Sequence, residues 1–510
     1  MSVVTGRGPV GSEAEVKLSA PPDFELPSFD GVVDKATARI APDRRLEAVY
    51  YDTADLRLAR AGATLRFRTG EKTPEWTAKL AGSESGSLIV RREVHLPGTR
   101  DHLPDELRDL VTAMARGSCL KEVARLTTQR TSVELVDKKG RVLVEISDDR
   151  VAATSDGRQD QVLREIETEL IEDKPSGRRA LGAAVARLVA AGCATGPPVP
   201  KLVRVLGDAA AGPPDVVVAP ARPHDVEALV ARAIARSTAQ LLAHDPGVRL
   251  GGDPEDTHQF RVATRRLRSD LRSLSKVLDT GRVAPVRQEL GWLGGEIRAL
   301  RDADVLAERL ARESDRLPER DRFAAELLLE RLHDETVCHH AELLSAMRSA
   351  RYVSLLDALV GLAASPPLLE GTNGTDPRRF ATAAVHKPWR RLERAARAIG
   401  PDAPDSALHE VRILAKRCRY AAEAVAPLVG GKASRFAAAV ASLQDLLGEH
   451  QDTVVAEAWL RTTAEHLEES RLVAGELVAA ERQRRGELRR EWPAAWKQAS
   501  APSLRRWMGR

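Results

Sequence analysis

In the first half of the chain, charged residues stand at every second position in one short segment after another. Few folds accommodate that habit. Glu13-Ala14-Glu15-Val16-Lys17 opens the series. Alternate side chains of a strand point to one face, so Glu13, Glu15 and Lys17 share a face, and Ala14, Val16 and Leu18 share the other. Arg66 and Arg68 alternate with Leu65 and Phe67, and Glu165, Glu167 and Glu169 alternate within Val162–Ile171. A single strand of this kind reads as a solvated edge. Several in one antiparallel set predict a closed barrel with a polar lumen.

The remaining strand-like segments are Arg45–Thr53, Ala63–Thr69, Glu75–Leu80 with Lys79, and Leu88–Leu96 with Arg91, Arg92 and Glu93. Val123–Val136, with Arg130, and Arg141–Ser147, followed by Asp148, complete the set. Helical patterns are expected over Asp30–Ile40, Pro104–Arg116 and Arg178–Ala191. Carboxylates are hard ligands suited to Mg²⁺ or Mn²⁺. Clustered Arg and Lys suit an anion of high charge. Together they describe a site for a metal-bound polyanion such as linked phosphates.

Charge balance adds a constraint. Residues 1–221 carry 32 basic and 33 acidic side chains, and residues 222–510 carry 46 and 41. Neither half is a polycationic tail, so an anion site must come from local clustering. The four cysteines (Cys119, Cys193, Cys338 and Cys418) lie far apart, which argues against a disulfide framework or zinc site and favours a reducing cytoplasm. No apolar run is long enough to span a membrane. The opening MSVVTGRGPVGSE lacks the apolar centre of a secretory signal and reads as a disordered lead-in.

Seven prolines fall within Gly196–Pro223, and Asp208–Pro223 reads as an extended tether. Beyond it the apolar period is 3.6, so the second half is helical. It also repeats. His258-x-x-Arg261-x-x-x-Arg265-Arg266-x-Arg268 matches His409-x-x-Arg412-x-x-x-Lys416-Arg417-x-Arg419, and Leu300-Arg301-Asp302 parallels Gln451-Asp452 downstream. Ser365–Asp376 separates the copies. At 100° per residue each motif makes one basic stripe along a helix. Like charges at this spacing repel, so acids such as Asp302 and Asp452 must compensate, or a polyanion must bridge both stripes.

The first half resembles the CYTH domain, the fold of the triphosphate tunnel metalloenzymes. The carriers are Glu13-x-Glu15-x-Lys17, Tyr51-Asp52-Thr53, Gly62-x-x-Leu65-Arg66-x-Arg68, Thr77-x-Lys79, Arg92-Glu93, Arg130, Glu145-x-x-Asp148 and Glu165-x-Glu167. The resemblance implies an eight-stranded tunnel that binds a triphosphate. It implies Lys17, Arg66, Arg68, Lys79, Arg92 and Arg130 as phosphate ligands, and Glu13, Glu15, Asp148, Glu165, Glu167 and Glu169 as the metal set. The metal implied is Mg²⁺ or Mn²⁺, and the chemistry is metal-assisted hydrolysis.

The second half resembles the CHAD domain, which implies polyphosphate binding by His258, Arg261, Arg265, Arg266, Arg268, Arg301, His409, Arg412, Lys416, Arg417, Arg419 and Tyr420. The expected architecture is therefore two-domain, α+β and all-α. A tunnel domain spans 11–205, a Pro-rich linker 206–223, and a helical bundle 224–508 with copies at about 224–365 and 377–508. The expected partners are inorganic tripolyphosphate and long-chain polyphosphate, with no membrane. Little aromatic surface in the helical half speaks against nucleic acid. The expected location is the cytoplasm, with association to polyphosphate granules. A non-catalytic polyphosphate-binding protein and a nucleoside triphosphatase or class IV adenylate cyclase-like enzyme are the alternatives.

Overall fold

A strand that carries charges on one face and apolar residues on the other can bury the charges only if the sheet closes around them. The first half does this. The computed structural model describes residues 10–21, 23–33, 36–71, 73–85, 88–155, 158–195, 199–219 and 223–508, with the backbone alone for 10–13, 83–85, 88–89 and 158–160. The lead-in residues 1–9 and the side chain of Glu13 lie outside the described residues. The division by contacts falls between Asp215 and Val216.

The strands of the first unit are β1 (Val10–Ser19), β2 (Ala36–Ile40), β3 (Arg44–Asp52), β4 (Thr64–Thr69), β5 (Glu75–Lys79), β6 (Ser83–Ser85), β7 (Leu88–Pro97), β8 (Lys121–Asp137), β9 (Val142–Ser155), β10 (Arg158–Leu170) and β11 (Ala194–Thr195). Its helices are α1 (Arg57–Arg60), α2 (Asp105–Leu110), α3 (Thr112–Ala115), α4 (Pro175–Ala190), α5 (Lys201–Leu206) and α6 (Asp208–Ala211). Eight strands run in the order β1-β10-β9-β8-β3-β4-β5-β7, and β7 pairs back onto β1 to close a barrel. Closure leaves no unpaired edge in the ring.

Much of the apolar core lies outside the barrel. Val16, Leu18, Val144, Ile146 and Ile166 pack with Ala180, Leu181, Ala184 and Leu188 of α4. Each large side chain buried there contributes about 1.5–3 kcal/mol relative to exposure. A second cluster joins Ala48, Tyr50, Leu126, Val151 and Ala153 to Leu202 and Val205 of α5. These strand residues share the inward face, so α5 packs against apolar lumen residues.

Three local expectations change. Ala36–Ile40, read as helix, is strand β2, paired with Val133–Asp137 of β8. The seventeen-residue β8 outruns β3, and β2 satisfies its overhanging backbone. The β9–β10 hairpin reaches Ser155 and Arg158, well beyond the segments read from alternation. Finally, the start of the expected tether is packed. Ala210 of α6 is buried, and Asp215 pairs with Arg57, Arg60 and Arg116.

The second unit is helical: α7 (Val226–Leu250), α8 (Pro254–Ser273), α9 (Thr280–Ser314), α10 (Arg322–Arg348), α11 (Ala350–Ala364), α12 (Pro377–Arg397), α13 (Asp405–Val429), α14 (Gly431–His466), α15 (Arg471–Ala499) and α16 (Pro502–Arg505). The repeated motifs open the hairpins α8–α9 and α13–α14 at corresponding places. Asp253 caps α8 by accepting from Glu255 N–H, while α13 begins after Pro404 without a side-chain cap. The loop between the copies is tied down, with Leu369 N–H donating to Val277 O at 3.0 Å. Among the described residues no helix is long and apolar enough to cross a membrane.

Candidate functional sites

Residues directly opposite in an antiparallel pair share a face, so register states which side chains enter the lumen. Lys17 lies opposite Glu167, Glu15 opposite Glu169, Glu165 opposite Asp149, and Arg130 opposite Asp149. Arg66 lies opposite Tyr50 and Thr77, and Lys79 opposite Thr64 and Glu93. One cavity is accordingly lined by Glu15, Lys17, Arg66, Arg68, Lys79, Arg130, Glu167 and Glu169, all expected from sequence. Arg91, Tyr50 and Lys201 line it as well.

The lumen charges answer one another. Lys17 lies 3.2 Å from Glu165 and 3.5 Å from Glu15, and it also contacts Glu167. Burial works against its ammonium, but Glu167, Glu165 and Glu15 outweigh it and hold the pKa well above the usual lysine range. Burial likewise opposes the Glu167 carboxylate, yet Lys17, Lys201 and Arg130 hold it well below the usual range. For Glu165 burial prevails and the carboxyl is pushed up. Arg68 bonds Glu75 at 3.0 Å, Arg66 donates to the Tyr50 hydroxyl at 3.3 Å, and Lys79 pairs with Glu93. The side chains fill the lumen so far that only about 80 Å³ stays open.

Two expected residues face the other way. Asp148 bonds Arg164 on the outer side at 2.8 Å, and its neighbour Asp149 occupies the lumen instead. Arg91 lines the lumen, whereas Arg92 is displaced to the opposite face of β7. Lys201, from the segment read only as the end of the first domain, reaches Asp149, Glu167 at 3.1 Å and Glu165 at 3.3 Å. The one sequence trace of its role is Lys201 and Arg204 standing one turn apart after Pro200.

The chemistry of this donor set suits a hard divalent cation. Among the described residues, Glu15 keeps one buried carboxylate oxygen without a hydrogen-bond partner, beside Glu167 and Glu169. Among the described residues, however, no three acids converge into a ready-made metal cage. Tyr51-Asp52-Thr53 has a structural role. The buried Asp52 carboxylate accepts N–H bonds from Thr53, Leu58 and Ala59, and so fixes the start of α1.

The helical unit has its own cavity, of about 750 Å³. His258, Arg261, Arg265, Arg268, Arg301, His409, Arg412 and Lys416 all line it, so both repeats contribute. Arg298 and Arg309 join them, unforeseen although their spacing from Arg301 places them on one face of α9. Asp302 and Asp452 are the acids present, and Arg261 bonds Asp302 at 3.2 Å. Cations predominate. Burial, then Arg412, Arg265 and Arg261, depress Lys416 to a pKa of about 7. Burial and Arg301 lower His258, and burial and Arg412 lower His409.

Arg266 does not line this cavity and pairs with Glu423 at 3.1 Å. Tyr420 is buried, with Arg265 and Arg419 over its ring at 5.3 and 4.9 Å, and Arg419 also lies 3.4 Å from Glu423. Arg417 is exposed outside the cavity.

Residues 12–186 match the family model described as CYTH domain, and residues 232–461 the one described as CHAD domain. An uncharacterized protein of Mycobacterium tuberculosis is 34% identical over 476 residues, covering 88% of each chain. Among solved structures, PptA from Streptomyces chartreusis aligns at 26% identity and TM-score 0.44, over 53% of this chain and 98% of its own. The CHAD domain from the plant Ricinus communis aligns at 25% identity and TM-score 0.41, over 57% and 94%.

Proposed function

The chain belongs to the proteins that carry a CYTH domain followed by a CHAD domain, and from that membership we propose a metal-dependent inorganic triphosphatase with a polyphosphate-binding helical module. The observation that carries the reading is the lumen itself. Lys17, Arg66, Arg68, Lys79, Arg91, Arg130 and Lys201 converge there with carboxylates on adjoining strands. Such an interior makes sense if the cations exchange their carboxylate partners for phosphate oxygens.

Arg66, Arg68 and Arg130 present planar forks that match phosphate oxygens. Lys17, Lys79 and Lys201 supply point charges around them. Held in a lumen that excludes bulk water, these groups stabilise charge on the transferring phosphoryl group without reorganising. A bound Mg²⁺ or Mn²⁺, held by Glu15, Glu167 and Glu169, would supply Lewis acidity and offset the charge of the phosphates. Glu165 orients Lys17 and Lys201 toward the phosphate path. In the helical cavity the excess of cations binds longer phosphate chains and keeps them close to the enzyme.

The test is phosphate release from tripolyphosphate with Mg²⁺ or Mn²⁺, in the parent and in Glu15→Gln. Metal-dependent release lost in the variant is expected. No release above background would overturn the hydrolase reading. ATP in a parallel arm, assayed for phosphate and for cyclic product, separates a nucleotide enzyme.

A further inference from the structure

The cationic face of the helical unit does not end with the cavity. On α8, Arg261, Arg265, Arg268 and Arg272 recur at spacings that keep them on one side. On α9, Arg287, Gly291, Gly294, Arg298 and Arg301 do the same. The two stripes meet at Gly291, where a Cβ would stand 3.2 Å from the Arg268 guanidinium. A Cβ at Gly294 would meet nothing within 4 Å. The glycines thus leave a bare strip of helix between Arg298 in the cavity and Arg287 beyond it.

Beyond the cavity, Arg272 continues the α8 stripe one turn past Arg268, Arg287 stands one turn before Gly291 on α9, and Arg417 of α13 neighbours Arg272. Arg272 and Arg417 are exposed, and Arg287 is half-buried, its shielded Nε without a hydrogen-bond partner among the described residues. Burial, then Arg417, Arg287 and Arg268, lower the pKa of Arg272, which fits their closeness. Among the described residues none of Arg268, Arg272, Arg287 and Arg417 has an ion pair. Other arginines of these helices do: Arg266 pairs with Glu423 and Arg309 with Glu481. Unpaired like charges this close cost stability in the free protein, and an anion would remove that cost.

We propose that Arg272, Arg287 and Arg417 form a second anion subsite, joined to the helical cavity by Arg268 across the bare Gly291 and Gly294 face of α9. The inference rests on reading the cavity as a polyphosphate site. Arg287 and Arg301 lie fourteen residues apart on one helix, about 21 Å along its axis. A long phosphate chain covers that span and a triphosphate does not. The helical unit therefore discriminates by chain length. A flexible chain of linked phosphates needs no stacking surface, and the Tyr420 ring is buried under Arg265 and Arg419.

The test is equilibrium binding of long-chain polyphosphate to the full chain over a salt series. Arg272→Gln/Arg287→Gln should weaken binding at least tenfold and flatten the dependence of log K on log salt by about two counterions. Arg272→Lys/Arg287→Lys should keep most of the affinity, and tripolyphosphate turnover should be unchanged in both. Arg261→Gln/Lys416→Gln, inside the cavity, is the control for the underlying reading. If the cavity pair weakens binding and the outer Gln pair does not, the subsite is wrong and the cavity reading stands. If neither weakens it, both fail. Equal loss in the Lys pair would make the outer arginines structural. Displacement of polyphosphate by RNA at equal phosphate concentration would reassign the face to nucleic acid.

Discussion

Asp149 and Arg130 stand opposite each other on β9 and β8, and Arg130 donates hydrogen bonds of 2.7 and 2.6 Å to the two carboxylate oxygens. Asp149 is shielded from solvent inside the barrel. Burial alone would raise its carboxyl, but Lys201 and Arg130 reverse the effect and hold it below the usual range. The next residue back, Asp148, turns to Arg164 on the outside.

Asp149→Ala should therefore abolish tripolyphosphate turnover, and Asp148→Ala should leave it. Removing one partner of a buried pair costs about 3–5 kcal/mol, so Asp149→Ala should also lower the denaturation midpoint of the first unit. Phosphate release and urea unfolding of both variants check this. Equal turnover loss in the two would contradict the lumen assignment.

Lys201 contacts three lumen carboxylates from α5, a helix that packs against the inward face of the strands. Burial opposes its charge, but Glu167, Asp149 and Glu165 outweigh it and raise its pKa. Lys201→Met should leave those acids short of a cation and lower the melting temperature at neutral pH. The deficit should narrow toward pH 5, because protonation relieves uncompensated carboxylates. A pH-independent deficit would point to lost packing instead.

His95 lies 3.2 Å from both Glu75 and Glu93. Hydrogen bonds that its ring N–H groups donate to Glu75 and then Glu93 raise its pKa. The folded state holds this proton more tightly than the unfolded state. The stabilisation is complete below the unfolded value of about 6.5 and is lost as pH rises through the folded value. Unfolding free energy measured from neutral to alkaline pH should fall in the parent and fall less in His95→Gln.

Lys416 has a depressed pKa of about 7, so near pH 8 it is mostly neutral in the free protein. A polyanion in the cavity restores its charge, and binding should take up a proton. Calorimetry in two buffers of different ionisation enthalpy reads that uptake directly. His258 and His409 face the same cavity and contribute at lower pH. Lys416→Arg should bind while losing the alkaline part of the uptake, and an unchanged uptake would assign the proton elsewhere.

Much of this was legible in sequence because it is periodic. Alternation at Glu15 and Lys17, at Arg66 and Arg68, and at Glu165, Glu167 and Glu169 states that charges share a face. The paired stripes beginning at His258 and His409 state that the second half is duplicated and basic. Most of these residues line the tunnel or the helical cavity. Arg266 and Arg417 share the motif but not the cavity, since at about 80° from the leading histidine they fall off the stripe, whereas Arg419 turns to the buried Tyr420 and to Glu423 instead.

Residue order alone requires the first half to enclose charge and the second to gather it, because side-chain period follows from local backbone geometry. Tertiary structure alone decided between neighbours. A slip of one residue in pairing exchanges the faces of a strand, so only the observed register puts Asp149 and Arg91 inside while Asp148 and Arg92 turn away. It alone brought Lys201 to Lys17's carboxylates, since no local pattern encodes a contact between a helix near residue 200 and the first strand. It alone laid Arg268 across Gly291, because that contact depends on how α8 packs on α9.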